Sequence, residues 1–174
     1  LVKLGIDDDL VLKTLQELLN SKYSFSCLEA ARSLANLDKG SKEVINTLVK
    51  LLTDNDCNIR ISAVYTLGDL KKDSDTVVNA LIKVIADENS EVRKGSAYAL
   101  SNLAKDSDKV ANALVKLLSD EDSEVRSRTA YALGDLGKKF NKISSVIEQW
   151  VKVNQDAENI GDVIDGLWDM VATE

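Results

Sequence analysis

Residues Glu91–Leu103 read EVRKGSAYALSNL, and the chain writes nearly the same words on either side. Glu124–Leu136 reads EVRSRTAYALGDL and Asn58–Leu70 reads NIRISAVYTLGDL, so the three copies begin at 58, 91 and 124, evenly spaced. Each copy carries an Arg in its first turn, a Tyr in its middle, and Ala and Leu at spacings of three and four. At about 100° per residue, such a spacing gathers the apolar side chains into one stripe along a helix.

Outward from this stretch the alignment extends over most of the chain. Leu34, Leu67, Leu100 and Leu133 form one column, and Leu37, Leu70, Leu103 and Leu136 another. Upstream, LQELLN from Leu15, LVKLLTD from Leu48, LIKVIAD from Leu81 and LVKLLSD from Leu114 superpose without a gap. The polar linkers KKDSD (71–75) and AKDSD (104–108) supply residues that stop one helix and cap the next. Each unit is therefore two helices, for example 74–86 and 90–104. A period of roughly 20–50 residues in a helical chain marks a stacked array, in which no pair buries its stripe without neighbours.

One repeat domain is expected over residues 1–174, with repeats at 8–40, 41–73, 74–106 and 107–139. LVKL at Leu1–Leu4 falls one such interval before LANL at Leu34–Leu37, so residues 1–7 read as the tail of a preceding repeat. This predicts a piece of a longer protein, continuous with further N-terminal repeats or domains. After Gly137 the pattern decays. Ile143, Ile147, Trp150 and Val151 keep the first-helix spacing, whereas Ile160–Val171 lacks the Arg and gains Trp168. Residues 140–174 read as a degenerate capping repeat.

The repeated motif, [IV]-R-x-x-[AST]-x-x-[AT]-L-[GS]-[DN]-L, resembles the HEAT repeat, in the short bacterial and archaeal form known from phycobilisome lyases. Ankyrin repeats share the period, but their T-P-L-H signature cannot occur in a chain with no Pro and no His. The resemblance implies an all-α fold, a right-handed α-α superhelix (a HEAT-like solenoid) of about five helix pairs, repeating every ~33 residues. It also implies that the second helices line the inner, concave surface.

Composition narrows the function. With 44% apolar and 29% charged residues the chain is of the globular class, and the absence of Pro favours helices. A net charge of −7, without any clustered basic stripe, argues against nucleic acid and against an anionic membrane surface. No apolar run approaches a membrane span, and no basic-then-apolar leader opens the sequence. Cys27 and Cys57 fall at non-equivalent points of the repeat and read as free thiols of a cytoplasmic protein.

Two columns of polar residues stand out. Arg60, Arg93 and Arg126 lie close to the apolar stripe, where an unpaired guanidinium would cost several kcal/mol. The acids closing the preceding first helices, Asp54, Asp87 and Asp120, are the expected partners. They match the Asp–Arg ladder that the resemblance implies, which makes these arginines structural. On the opposite side of the second helices stand Tyr65, Tyr98 and Tyr131. Asp69, Asn102 and Asp135 follow them by four residues, and Ser62, Gly95 and Arg128 precede them by three. Arg32 and Asn36, with Glu29, hold the equivalent places in the unit before. Tyrosine combines apolar area with a hydroxyl at low entropic cost, the combination that protein interfaces favour. From spacing alone, the rings either bind a partner in the groove or lie over the joint to the next repeat.

A further acidic stripe, Glu158, Asp162, Asp165 and Asp169 beside Trp168, reads as a solvated cap face rather than a metal site, because a line of acids on one helix makes no cage. The lack of His removes the common nucleophile–base pairs and almost every transition-metal site. It also removes the His–Glu iron site of deoxyhypusine hydroxylase, an enzyme with HEAT-type repeats. No catalytic residue, metal or cofactor is expected. The reading is a non-enzymatic module binding a protein or peptide of unknown identity. The alternative implied by the resemblance is a bilin lyase-like or chaperone-like subunit acting on phycobiliproteins.

Overall fold

The structure, a computed structural model, describes residues 8–37, 40–72, 74–103, 107–139, 142–157 and 160–171. The described residues form ten α-helices and no strand. They run as five consecutive pairs: α1 Asp8–Leu18 and α2 Ser24–Asn36; α3 Lys42–Leu51 and α4 Cys57–Leu70; α5 Asp75–Val84 and α6 Ser90–Leu103; α7 Ser107–Leu117 and α8 Ser123–Lys139; α9 Lys142–Asn154 and α10 Ile160–Val171. The second helices of the first four pairs start at residues 24, 57, 90 and 123, so the sequence period is kept to the residue. The tail at 1–7 lies outside the described residues.

Local chemistry sets these starts. Ser41 and Ser74 cap α3 and α5, their side chains accepting the N–H of Val44 and Val77. Before the second helices, Asp56, Asn89 and Asp122 accept from the N–H two residues on, at 2.9, 2.9 and 2.8 Å. Two positions earlier, Asp54, Asp87 and Asp120 fold the turn in the same way, accepting from the N–H of residues 56, 89 and 122 at 2.9, 2.9 and 3.0 Å. Each of these three interhelix turns is thus built by two successive Asx-type hydrogen bonds. In the first repeat Ser21 takes the place of the turn aspartate, accepting from Tyr23 N at 3.2 Å, and Tyr23 caps α2 without a side-chain bond.

The chain divides into two compact units, residues 1–72 and 73–174, at the boundary between the second and third repeats. In the first unit α2 packs on α1, α3 and α4, and α3 on α4. Val44, Leu48, Leu52, Ala63, Val64 and Leu67 form its buried interior with Ala30, Ala31 and Leu34. In the second unit α8 packs between α6 and α10 in a row of second helices, while α7 lies between α5 and α9 in a row of first helices. Leu81, Val92, Leu100, Leu114, Leu133 and Leu136 are fully buried there. Each such side chain contributes about 1.5–3 kcal/mol relative to exposure, which is why the columns of leucine recur.

On α6 the stripe expected from spacing (Val92, Ser96, Ala97, Leu100 and Leu103) is buried. Ser96 is accommodated by donating its hydroxyl to Val92 O at 2.7 Å. Gly95, Ala99 and Ser101 are buried as well, so this helix is covered over more than one stripe. The last leucine column is less uniform. Leu37 stands at 43% exposure, because α2 ends at Asn36, one residue short of it.

Candidate functional site

Within the arginine column, Arg93 joins its own interhelix turn to the next one. Arg93 is buried, and each of its N–H groups meets an acceptor. Nε donates to Asp120 Oδ2 at 2.8 Å. Nη2 donates to Asp120 Oδ1 at 2.8 Å and to Glu121 Oε1 at 3.4 Å. Nη1 donates to the carbonyls of Asp87 at 3.0 Å and Glu88 at 3.1 Å. The fork on Asp120 holds the guanidinium charged, its pKa raised mainly by that hydrogen bond.

This geometry corrects the pairing expected from sequence. Asp87 gives Arg93 its backbone carbonyl, and the carboxylate that Arg93 grips is Asp120, from the next repeat. The reason is the shape of the guanidinium. Nη1 is taken by two carbonyls of its own turn, so the Nε–Nη2 edge faces the following turn, where a carboxylate matches its fork. Arg60 and Arg126 repeat the carbonyl half of the arrangement. Arg60 Nη1 donates to Asp54 O at 2.9 Å and Asn55 O at 3.3 Å, and Arg126 Nη1 to Asp120 O at 2.8 Å and Glu121 O at 3.0 Å. Position 153, which stands to Arg126 as Asp120 stands to Arg93, is an exposed valine.

A second strap, unforeseen from sequence, lies beside the Arg93 junction. Lys94 Nζ reaches Glu91 at 2.6 Å on its own helix and Glu124 at 2.7 Å on α8, and its pKa is raised by the Glu124 bond first and Glu91 second. The equivalents of Lys94 are Ile61 and Ser127, so no column announces it.

The residues singled out on the opposite face fall on two pairs of packed helices, one pair in each unit. In the first unit Arg32 and Asn36 of α2 and Tyr65 and Asp69 of α4 sit on helices that pack against each other. Arg32 and Asp69 are exposed, Tyr65 is half-buried, and Arg32 is engaged by Glu29 at 2.8 Å. In the second unit Tyr98 and Asn102 of α6 are half-buried beside α8, which carries the exposed Arg128, Tyr131 and Asp135. Gly95 departs from its column: it is buried, whereas Ser62 is half-buried and Arg128 exposed. Of the acidic stripe, Asp165 is exposed; Glu158 and the side chains of Asp162, Trp168 and Asp169 lie outside the described residues. Cys27 and Cys57 are free.

The model for HEAT repeats matches residues 12–101, 54–134 and 78–158. The chain belongs to the HEAT-repeat family. Its fold is accordingly the repeat-helical one of HEAT and armadillo proteins. Among solved structures the HEAT chain is similar to an engineered protein, at TM-score 0.60 and 28% identity over 90% of this chain and 76% of that one. It is similar also to human deoxyhypusine hydroxylase in complex with glycerol, at TM-score 0.60 and 27% identity, covering 73% of this chain and 43% of that enzyme. A third likeness, at TM-score 0.65 but 17% identity, is to the CpcE–CpcF complex of phycocyanin lyase from a Nostoc species, over 94% of this chain and 99% of that one. At that identity the likeness is one of fold. No curated protein sequence matches.

Proposed function

We propose that this HEAT chain is a non-enzymatic scaffold that binds a protein or peptide along the exposed face of its second helices. The observation that carries the reading is the exposure of the tyrosine column: Tyr65 and Tyr98 remain half-buried and Tyr131 is 36% exposed, at positions that helical spacing sets across from the leucine stripe. Aromatic rings left partly in water beside Asn102, Arg128 and Asp135 offer apolar contact area with hydrogen-bonding groups at its rim, the make-up of an interface centre. The net charge of −7 favours a basic partner through long-range attraction.

The test replaces Tyr65, Tyr98 and Tyr131 together by Ala and compares binding of peptides selected against the wild-type chain from a random library. Helicity by circular dichroism should be retained, and affinity should fall at least about tenfold, as expected for loss of aromatic anchors. Undiminished binding by a folded variant sinks the reading. Loss of helicity shows instead that the rings serve the joints between repeats.

A further inference from the structure

The column that holds arginine in the second, third and fourth repeats holds Cys27 in the first. Cys27 is buried and its thiol donates to Ser21 O at 3.1 Å. Ser21 stands six residues before Cys27, as Asp87 stands before Arg93, so the thiol occupies one of the two carbonyls an arginine would take. Asp54 stands to Cys27 as Asp120 stands to Arg93, in the next turn along. A guanidinium-sized group is therefore missing from the side chain, while the acceptors that surround one elsewhere in this protein are kept.

A cavity of about 460 Å³ lies at this place. Its lining includes Ser21, Lys22, Ser24, Cys27 and Asp54. A neighbouring cavity of about 510 Å³ shares Leu19, Asn20, Asn46 and Thr47 with it, so amide and hydroxyl side chains continue away from Asp54. The Asp54 carboxylate accepts from Asp56 N at 2.9 Å and from the Ser24 hydroxyl, and the Ser24 bond is the main cause of its lowered pKa. A carboxylate has about four acceptor positions, so a charged acceptor edge remains for a donor fork.

We propose that the junction between the first two repeats is a receptor for the guanidinium of an arginine side chain supplied by a partner polypeptide. The guest would bond the Asp54 carboxylate and the Lys22 carbonyl, and would share the second lone pair of the Ser21 carbonyl with the Cys27 thiol. These are the acceptors equivalent to those that hold Arg93. Arginine suits this set better than lysine because its planar fork supplies donors in two directions at once, to a carboxylate and to a pair of carbonyls. Lys50 at the cavity is compatible with a cationic guest, since Lys116 holds the same repeat position, four residues before the Asp120 that binds Arg93. Lys22 directs its amine over the ring of Tyr23, 5.0 Å from the centroid. The peptide source is favoured by Asn20, Asn46 and Thr47, which offer donors and acceptors to main-chain amides on either side of an inserted side chain. The inference does not rest on the tyrosine face, and its test uses no partner from that face.

The test titrates N-acetyl-L-arginine amide into the full chain and follows backbone amide resonances of residues 20–22 and 54–56 by NMR. Saturable shifts at these residues are expected, with a dissociation constant of about 1 mM, a weak single-residue affinity. N-acetyl-L-lysine amide should bind at least about tenfold more weakly, and Asp54→Asn should weaken the arginine probe by a similar factor. Cys27→Arg, which supplies the guest from within, should raise Tm and abolish the shifts. Equal binding of the lysine probe, full binding by folded Asp54→Asn, or no shifts at these residues in the wild-type chain overturns the proposal. Free L-arginine binding more tightly than the capped residue overturns the polypeptide source. Should Cys27→Arg not fold, the wild-type titrations and Asp54→Asn decide the matter alone.

Discussion

Two junctions of the same design have different contents. Between the third and fourth repeats a guanidinium occupies the space between turns, forked onto Asp120 and bonded to the carbonyls of Asp87 and Glu88. Between the first and second, the corresponding carboxylate and carbonyl border a cavity, with a thiol on the Ser21 carbonyl. Yet the turns themselves are alike. Ser21 closes the first turn on Tyr23 N as Asp87 closes the third on Asn89 N. The turn is therefore made by its own side chain–backbone bonds, and the arginine contributes by satisfying acceptors that the turn has already set out. Serine use differs accordingly. Ser24 bonds Asp54, the acid facing the Cys27 position, whereas the equivalent Ser90 bonds Asp122, two residues beyond the acid that Arg93 holds.

The most direct way to break this contrast is to make the third junction like the first. Arg93→Cys leaves the buried Asp120 carboxylate without its fork, and stability should fall by about 3 kcal/mol in urea unfolding, the scale for removing one partner of a buried ion pair. Millimolar N-acetyl-L-arginine amide should recover part of the loss. A loss below about 0.5 kcal/mol would show that the fork is not what holds this junction, and would remove the contrast with the first.

The fold was legible in the sequence because a solenoid states its architecture once per repeat. The columns of Leu34, Leu67, Leu100 and Leu133 needed only a helical period to be placed inside, and all four are buried. The pairing of Arg93 was not legible. The repeat offers Arg93 one acid just before it, Asp87, and another in the following unit, Asp120, and only the stacking of turns chooses between them. Cys27 was visible as a thiol but not as an exception to the arginine column, since its meaning depends on what Arg93 touches at another junction. The tyrosine column was located by spacing, while its degree of exposure depended on how closely neighbouring helices pack, which spacing does not encode. Gly95 illustrates this: it shares a column with exposed Arg128 and is itself buried.

A smaller effect separates the helix starts. Asp122 accepts from Glu124 N and Val125 N at the start of α8, whereas Tyr23 offers α2 no side-chain cap. Asp122→Ala should therefore cost about 1 kcal/mol in urea unfolding, and Tyr23→Asp should gain about 0.5 kcal/mol. Equal and negligible responses at both positions would mean that the turns, rather than the caps, fix where the second helices begin.

The least of these effects is in acid, and it compares the same two junctions. The Asp54 and Asp122 carboxyls are both held below the usual carboxylate range, chiefly by hydrogen bonds from Ser24 and Ser90 respectively. A carboxyl depressed in the folded state stabilises the fold above its unfolded pKa of about 3.9, and that stabilisation is lost as pH falls through the folded value. The urea midpoint should thus be flat from neutrality to about pH 5 on this account and decline below about pH 4. Ser24→Ala and Ser90→Ala move the folded pKa back towards the ordinary value, so each should lower stability slightly at neutral pH and make the acid decline shallower. The two should differ in company. At the third junction Lys94 also lowers Asp122, while Asp54 has Arg60 as its lesser charged neighbour. Adding roughly 0.5 M salt should therefore weaken what remains of the depression after either substitution, leaving the hydrogen-bonded part of the wild-type depression in place, because salt screens the charge contribution far more than a contact hydrogen bond. An acid decline as steep in the serine variants as in the wild-type chain would assign the depression to charge, and the two junctions would then differ only in their arginine.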